Sequence, residues 1–168
     1  MATLTETRTQ TAKIVPHLWF ADKAVEAANF YASLFPDSRV DDVTPIPTDT
    51  PSGPAGSVQV VEFTLAGQPF MAINAGPLDP FNHSISFIVN CDDQVEVDQL
   101  WDALSDGGEI EMCGWLKDRY GVSWQIVPTV LGEMMKDKDP VRSKRVMDAM
   151  LQMKELDIAG LEKAYKGR

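Results

Sequence analysis

The chain has 168 residues, with 15 basic and 25 acidic side chains and a formal charge of −10. Apolar residues make up 44 % and charged residues 24 %, which excludes a disordered chain, and no apolar run approaches the roughly 18–20 residues of a membrane helix. Residues 133–168 carry nine basic and seven acidic side chains, so residues 1–132 hold a net −12, a body that repels a phosphate backbone. Neither a nucleic acid nor a membrane is therefore an expected partner. Cys91 and Cys113 are far apart, and the N-terminus has no apolar export segment. That pattern predicts free thiols and a cytoplasmic protein.

Residues 1–12 are polar and threonine-rich and read as a flexible tail. The run IVPHLWF predicts a strand over 14–20. Ala24, Ala27, Ala28, Tyr31, Leu34 and Phe35 then recur at helical spacing, and Pro36 stops the helix. SRVDDVTPI predicts a strand, with Pro45 marking an edge or an end. Four prolines and two glycines make 45–56 a surface loop. SVQVVEFTLAGQPFMAINAG reads as a hairpin, with Val58, Val60, Glu62 and Thr64 on one face.

The second half repeats this grammar. HSISFIVNC predicts a strand and DDQVEVDQLWDALSDGG a helix with acidic residues at its start and glycine at its end. EIEMCGWLKD and VSWQIVP read as two strands about a Tyr120–Gly121 turn, and 129–166 as helical. Each half opens its first strand with the chain's only two histidines, His17 and His83, and ends its last strand with an amide, Asn74 or Gln125. The halves read as a weak duplication of a βαβββ module, about 13–76 and 83–128, within one domain over 13–128, followed by a helical extension, 129–168. The predicted class is α+β.

His17 and Trp19 stand two apart and share a face. An imidazole side chain can move a proton near neutral pH, so both histidines are candidate general bases. Trp19 and Trp115, on strands, are candidate walls of a pocket for a flat or apolar ligand. Cys113 has no activating base nearby in sequence, and the acidic pair after Cys91 disfavours a thiolate there. The methionines of 147–153 read as core or interface, and Arg142, Lys144 and Arg145 as a solvated helix face or a dock for a second subunit. No G-x-G-x-x-G follows the first strand, so the sequence carries no nucleotide or S-adenosylmethionine signature.

The segments HLWFADKAVEAANFY, HSISFIVNCDDQVEVDQLWDALSDGG and DRYGVSWQIVP resemble the vicinal oxygen chelate superfamily of glyoxalase, bleomycin-resistance and extradiol dioxygenase proteins. LWF, EAANFY, CGWLKDRYGVSWQIVP and MKELDIAGLEKAY resemble its PhnB-like branch, labelled 3-demethylubiquinone-9 3-methyltransferase, over about 13–166. The resemblance implies two βαβββ modules forming a cupped mixed sheet around a cavity, and a homodimer. It also implies that side chains from the first and last strand of each module converge, here His17, Asn74, His83 and Gln125. Two imidazoles suit Zn, Ni, Co or Fe, but Gln125 stands where the superfamily commonly has glutamate and brings no charge. Glu62 is the nearest carboxylate candidate for the same cavity. Two functions stay open. One is a small-molecule-binding protein of the bleomycin-resistance type, its acidic body favouring a cationic ligand. The other is a metal-dependent glyoxalase or isomerase-type lyase using His17, His83 and Gln125. The methyltransferase label has no supporting motif.

Overall fold

A computed structural model describes residues 12–77 and 79–167, and the expected tail over 1–12 lies outside the described residues except for Ala12. The chain parts at residue 78 into two compact units. In the first, β1 (His17–Phe20), α1 (Ala24–Leu34), β2 (Arg39–Pro45), β3 (Gln59–Leu65) and β4 (Gln68–Asn74) follow in order. The four strands form one sheet, β1-β4-β3-β2, with β1 parallel to β4 and the other pairs antiparallel. Pro45 ends the edge strand β2, where its missing N–H costs no ladder bond.

One sheet face is built for the helix. Ala24, Ala27, Ala28 and Tyr31 recur at i, i+3, i+4 and i+7, and all four are buried on α1. Leu18, Phe20, Val61, Phe63, Leu65, Phe70 and Ala72 alternate along the strands and are buried with them. Small alanines bring α1 close to β3 and β4. The β3–β4 turn places Ala66 at φ 47 and Gly67 at φ 78, the left-handed pair that a two-residue hairpin requires. The 46–58 loop is stitched by its own bonds, among them Ala55 N to Asp49 Oδ1 (2.9 Å) and Ile46 N to Val58 O (2.8 Å).

The second unit repeats the plan with β5 (Phe87–Cys91), α2 (Gln94–Ser105), β6 (Glu109–Ile110), β7 (Trp115–Lys117) and β8 (Ser123–Pro128). Its sheet order is β5-β8-β7-β6, again with the first strand parallel to the last. The predicted continuous strand EIEMCGWLKD is instead a hairpin. Cys113 (φ 62) and Gly114 (φ 80) turn the chain left-handed between β6 and β7, which no continuous strand tolerates. The predicted strand HSISFIVNC starts four residues late, because His83 and Ser84 lie in a turn.

The helical tail is three helices, α3 (Thr129–Met135), α4 (Pro140–Met150) and α5 (Ile158–Lys166). Asp139 and Asp157 cap α4 and α5 through their carboxylates, and Pro140 sits at the start of α4. Leu131, Met134, Val146, Leu156 and Leu161 form their buried core, with Val127 of β8, Met150 and Met153 packed against it. Met150 and Met153 of the methionine stripe are thus half-buried against this core. The basic residues are also engaged within the chain. Arg145 Nε and Nη2 bind the carbonyls of Ala164 and Tyr165 (2.8 Å each), and Lys144 pairs with Asp148 (2.6 Å). Among the described residues, no helix is long and apolar enough to cross a membrane.

Candidate functional site

Each sheet turns one face to its helix, and the candidate residues lie on the opposite face; in the second sheet the tail core covers that face at Val127. In the first unit, register sets His17, Met71, Glu62 and Asp42 in one row across β1, β4, β3 and β2. Trp19 lies on the same face, and its Nε1 donates to the Gly76 carbonyl (3.0 Å). His17 and Glu62 are both exposed. Glu62 and Met71 border a cleft of about 650 Å³ that also includes Arg39, Asp41 and Thr64. There Asp41 is held by Arg39 (2.6 Å) and by the Thr64 hydroxyl (2.7 Å).

Asn74 does not join this row. It pairs with Phe20, on the helix side of the sheet, and its Oδ1 accepts the backbone N–H of Ala24 (2.5 Å). The expectation that Asn74 shares a ligand face with His17 is therefore corrected. Successive strand residues point to opposite faces, and Asn74 has the wrong parity. Its observed task is structural. Lys23, the N-cap of α1, makes no side-chain cap bond, and the sheet supplies the acceptor instead.

In the second unit the corresponding row is Ile88, Gln125, Trp115 and Glu111, across β5, β8, β7 and the residue following β6. Gln125 Nε2 donates to Ser86 Oγ (2.9 Å). His83 reaches this face from its turn. Its Nε2 lies 2.8 and 2.7 Å from the two carboxylate oxygens of Glu111, and its ring is 5.9 Å from that of Trp115. Three predicted site residues, His83, Trp115 and Gln125, thus belong to one face. Glu111 was missed. Its only signal was the alternation Glu109–Ile110–Glu111, which places both carboxylates on the face opposite Ile110.

The two rows also redefine the duplication. His17 is the counterpart of Ile88, and Met71 of Gln125, when the parallel pairs are matched from their buried ends, Phe20 and Cys91. His17 and His83 are not equivalent positions, because His83 precedes β5. The first- and last-strand residues of the two rows are therefore one imidazole, one thioether, one alkyl chain and one amide. Within neither unit, among the described residues, do three or more His, Cys, Asp or Glu side chains gather as a metal would need. The donor set of neither unit fits a metal ion. The thiols are also outside the site chemistry. Burial, followed by the charges of Glu96, Asp92 and Asp93, pushes the Cys91 thiol up to about 12.

The family model described as 3-demethylubiquinone-9 3-methyltransferase matches residues 12–127, most of both modules. The chain belongs to this family. A PhnB protein of that description from Bacillus cereus is 34 % identical, over 70 % of this chain and 99 % of that one, with a TM-score of 0.61. A Pseudomonas aeruginosa protein is 24 % identical, over 68 % of this chain and 96 % of that one, with a TM-score of 0.52. The fosfomycin resistance protein FosX from Listeria monocytogenes, solved with Mn(II) and sulfate, is 14 % identical over 75 % of this chain and 98 % of that one. Its TM-score of 0.53 marks a shared fold. No curated protein matches the chain. Family membership fixes the paired βαβββ plan.

Proposed function

We propose that this family member binds a small organic molecule on the open face of its second unit, with a preference for a cationic aromatic ligand. The observation that carries the reading is the meeting of His83, Glu111, Trp115 and Gln125 on the sheet face opposite α2. Trp115 offers an aromatic surface, and Glu111 a carboxylate at its side. An organic cation is attracted by both. The net −12 of residues 1–132 raises the local concentration of such a ligand. His83 holds Glu111 with a doubly contacted carboxylate, so the negative group is positioned before the ligand arrives.

Methyl transfer is not the reading adopted. The link from β1 to α1 is Ala21–Asp22–Lys23 and that from β5 to α2 is Asp92–Asp93. Neither has the glycines of a cofactor-binding turn. The metal-dependent alternative lacks a converging donor set in either unit, as described above.

Benzyltrimethylammonium tests the proposal. At a hundredfold excess over its Kd, binding adds about 2.7 kcal/mol, a rise in Tm on the order of 5–10 °C for a chain of this size. Trp115→Ala should abolish the shift. No shift up to saturating concentrations, or a shift that survives Trp115→Ala, overturns the proposal.

A further inference from the structure

The cleft of the first unit has a volume of about 650 Å³, within the range of about 300–1,000 Å³ usual for small-ligand pockets. A break in strand register shapes it. The β2–β3 pairing shifts between Val40 and Asp42, so Asp41 is an extra residue in the edge strand. Such a bulge re-aims a side chain. Here it brings the Asp41 carboxylate to Thr64, which alternation places on the same face as Glu62. Thr64 is buried, and its hydroxyl donates to Asp41 Oδ2 at 2.7 Å. Arg39 Nε lies 2.6 Å from Asp41 Oδ1.

The series Thr64, Asp41, Arg39 therefore holds the guanidinium by one nitrogen and fixes its direction. Among the described residues its two Nη groups have no partner, and they can donate to a carboxylate. Glu62 stands diagonally from Arg39 across the strand pair, since Arg39 faces Thr64 and Asp42 faces Glu62. Asp41 has taken Arg39, so the exposed Glu62 carboxylate has no hydrogen bond or ion pair among the described residues. Val15, Pro69 and Met71, all half-buried, add an apolar wall. Three carboxylates, Asp37, Asp41 and Glu62, face one guanidinium, a net −2 that opposes an anion lacking a positive group.

We infer that this cleft binds a free α-amino acid with an apolar side chain. Its carboxylate accepts from the Arg39 Nη groups, its ammonium donates to Glu62, and its side chain lies against Val15, Pro69 and Met71. A free α-amino acid carries both charges on one carbon, whereas a peptide carries them at opposite ends. An amine or a carboxylic acid alone satisfies one of the two partners and leaves the other unused. The bond to Asp41 orients Arg39 before the ligand arrives, which lowers the cost of binding. This site belongs to the first unit and stands independently of the cationic-ligand reading of the second.

Three matched probes test it. L-Phenylalanine carries both charges, 2-phenylethylamine lacks the carboxylate, and 3-phenylpropanoate lacks the ammonium. Calorimetric titration of the full chain at neutral pH is expected to show phenylalanine binding about tenfold more tightly than either, as one gained charge-assisted hydrogen bond implies. Arg39→Ala should bring the phenylalanine to phenylethylamine ratio close to one. Glu62→Gln should do the same for phenylalanine against phenylpropanoate. Both side chains are exposed, so melting curves of the two variants should match that of the unaltered protein. Trp115→Ala, in the other unit, should leave both ratios intact. Equal binding of phenylalanine and phenylethylamine overturns the site, as does a preference that survives Arg39→Ala. A preference lost with Trp115→Ala and kept in Arg39→Ala places the amino acid on the second unit and also overturns it. Absence of phenylalanine binding at millimolar concentration overturns the site while leaving the benzyltrimethylammonium result untouched.

Discussion

The two units share one strand order and one parallel pair, yet their open faces carry different chemistry. In the first the row reads His17, Met71, Glu62 and Asp42. In the second it reads Ile88, Gln125, Trp115 and Glu111, with His83 brought in from a turn. Buried positions are alike in both, because a helix must pack against each sheet. Open positions answer to no such packing demand, so they are free to diverge. Equivalence inferred from matching residue types therefore fails on the open face. The two histidines looked like counterparts only because each precedes a strand-forming run.

The units also solve the same folding problems by different means, and that contrast can be tested. The largest effect is expected at the β6–β7 turn, where the first unit uses its long 46–58 loop. A Cβ on Gly114 would lie 2.7 Å from the Ile126 carbonyl oxygen and 3.0 Å from Leu156, at φ +80. Gly114→Ala should cost roughly 3 kcal/mol, read by urea denaturation. A loss under about 1 kcal/mol would mean the turn relaxes and the close approach is not rigid.

A smaller effect concerns helix starts. α2 is capped locally, Asp93 accepting from Glu96 N at 2.9 Å, whereas α1 depends on Asn74 fifty residues away. Asn74→Ala and Asp93→Ala should each cost about 1 kcal/mol. Asn74→Asp, which keeps the acceptor, should cost less. A neutral result at Asn74→Ala would show that water replaces the cap, and the distant helix start would then be local after all.

The smallest effect is electrostatic. α1 faces its sheet with alanines, while α2 carries Asp98 and Asp102 toward Glu155. Burial, a hydrogen bond with Asp98 and the charges of Asp98 and Asp102 raise the Glu155 pKa above 4.5. Folded Glu155 then holds its proton more firmly than the unfolded chain does. Its contribution to stability is complete below 4.5 and is lost as pH rises through the raised value. Glu155→Gln should flatten the stability profile over that interval and leave the protein slightly more stable at neutral pH. An unchanged profile from thermal melts across this range would remove Glu155 from the account.

How much of this could be read beforehand differs by element. The helical spacing of Ala24, Ala27, Ala28 and Tyr31 and the hairpin over 59–74 both match what local periodicity demands. So does the repeated βαβββ order. The β6–β7 hairpin was not legible, since Cys113 gives no sign that it will adopt a left-handed backbone. Asn74 was misplaced because the last residues of β4, Ala72, Ile73 and Asn74, have no clear polar alternation to mark their faces. Glu111 was overlooked because its partner His83 is 28 residues away in sequence.

Local pattern alone was enough to specify which segments become strands and helices, because turn residues and apolar spacing act over a few neighbours. It also supplied the acidic balance and the family resemblance. Which side chains share a face was decided only by tertiary pairing. A shift of one residue reverses every side chain on a strand, and that register is set by packing against the helix. The capping role of Asn74 and the His83–Glu111 contact both follow from that tertiary pairing, and neither is written in the residues around them.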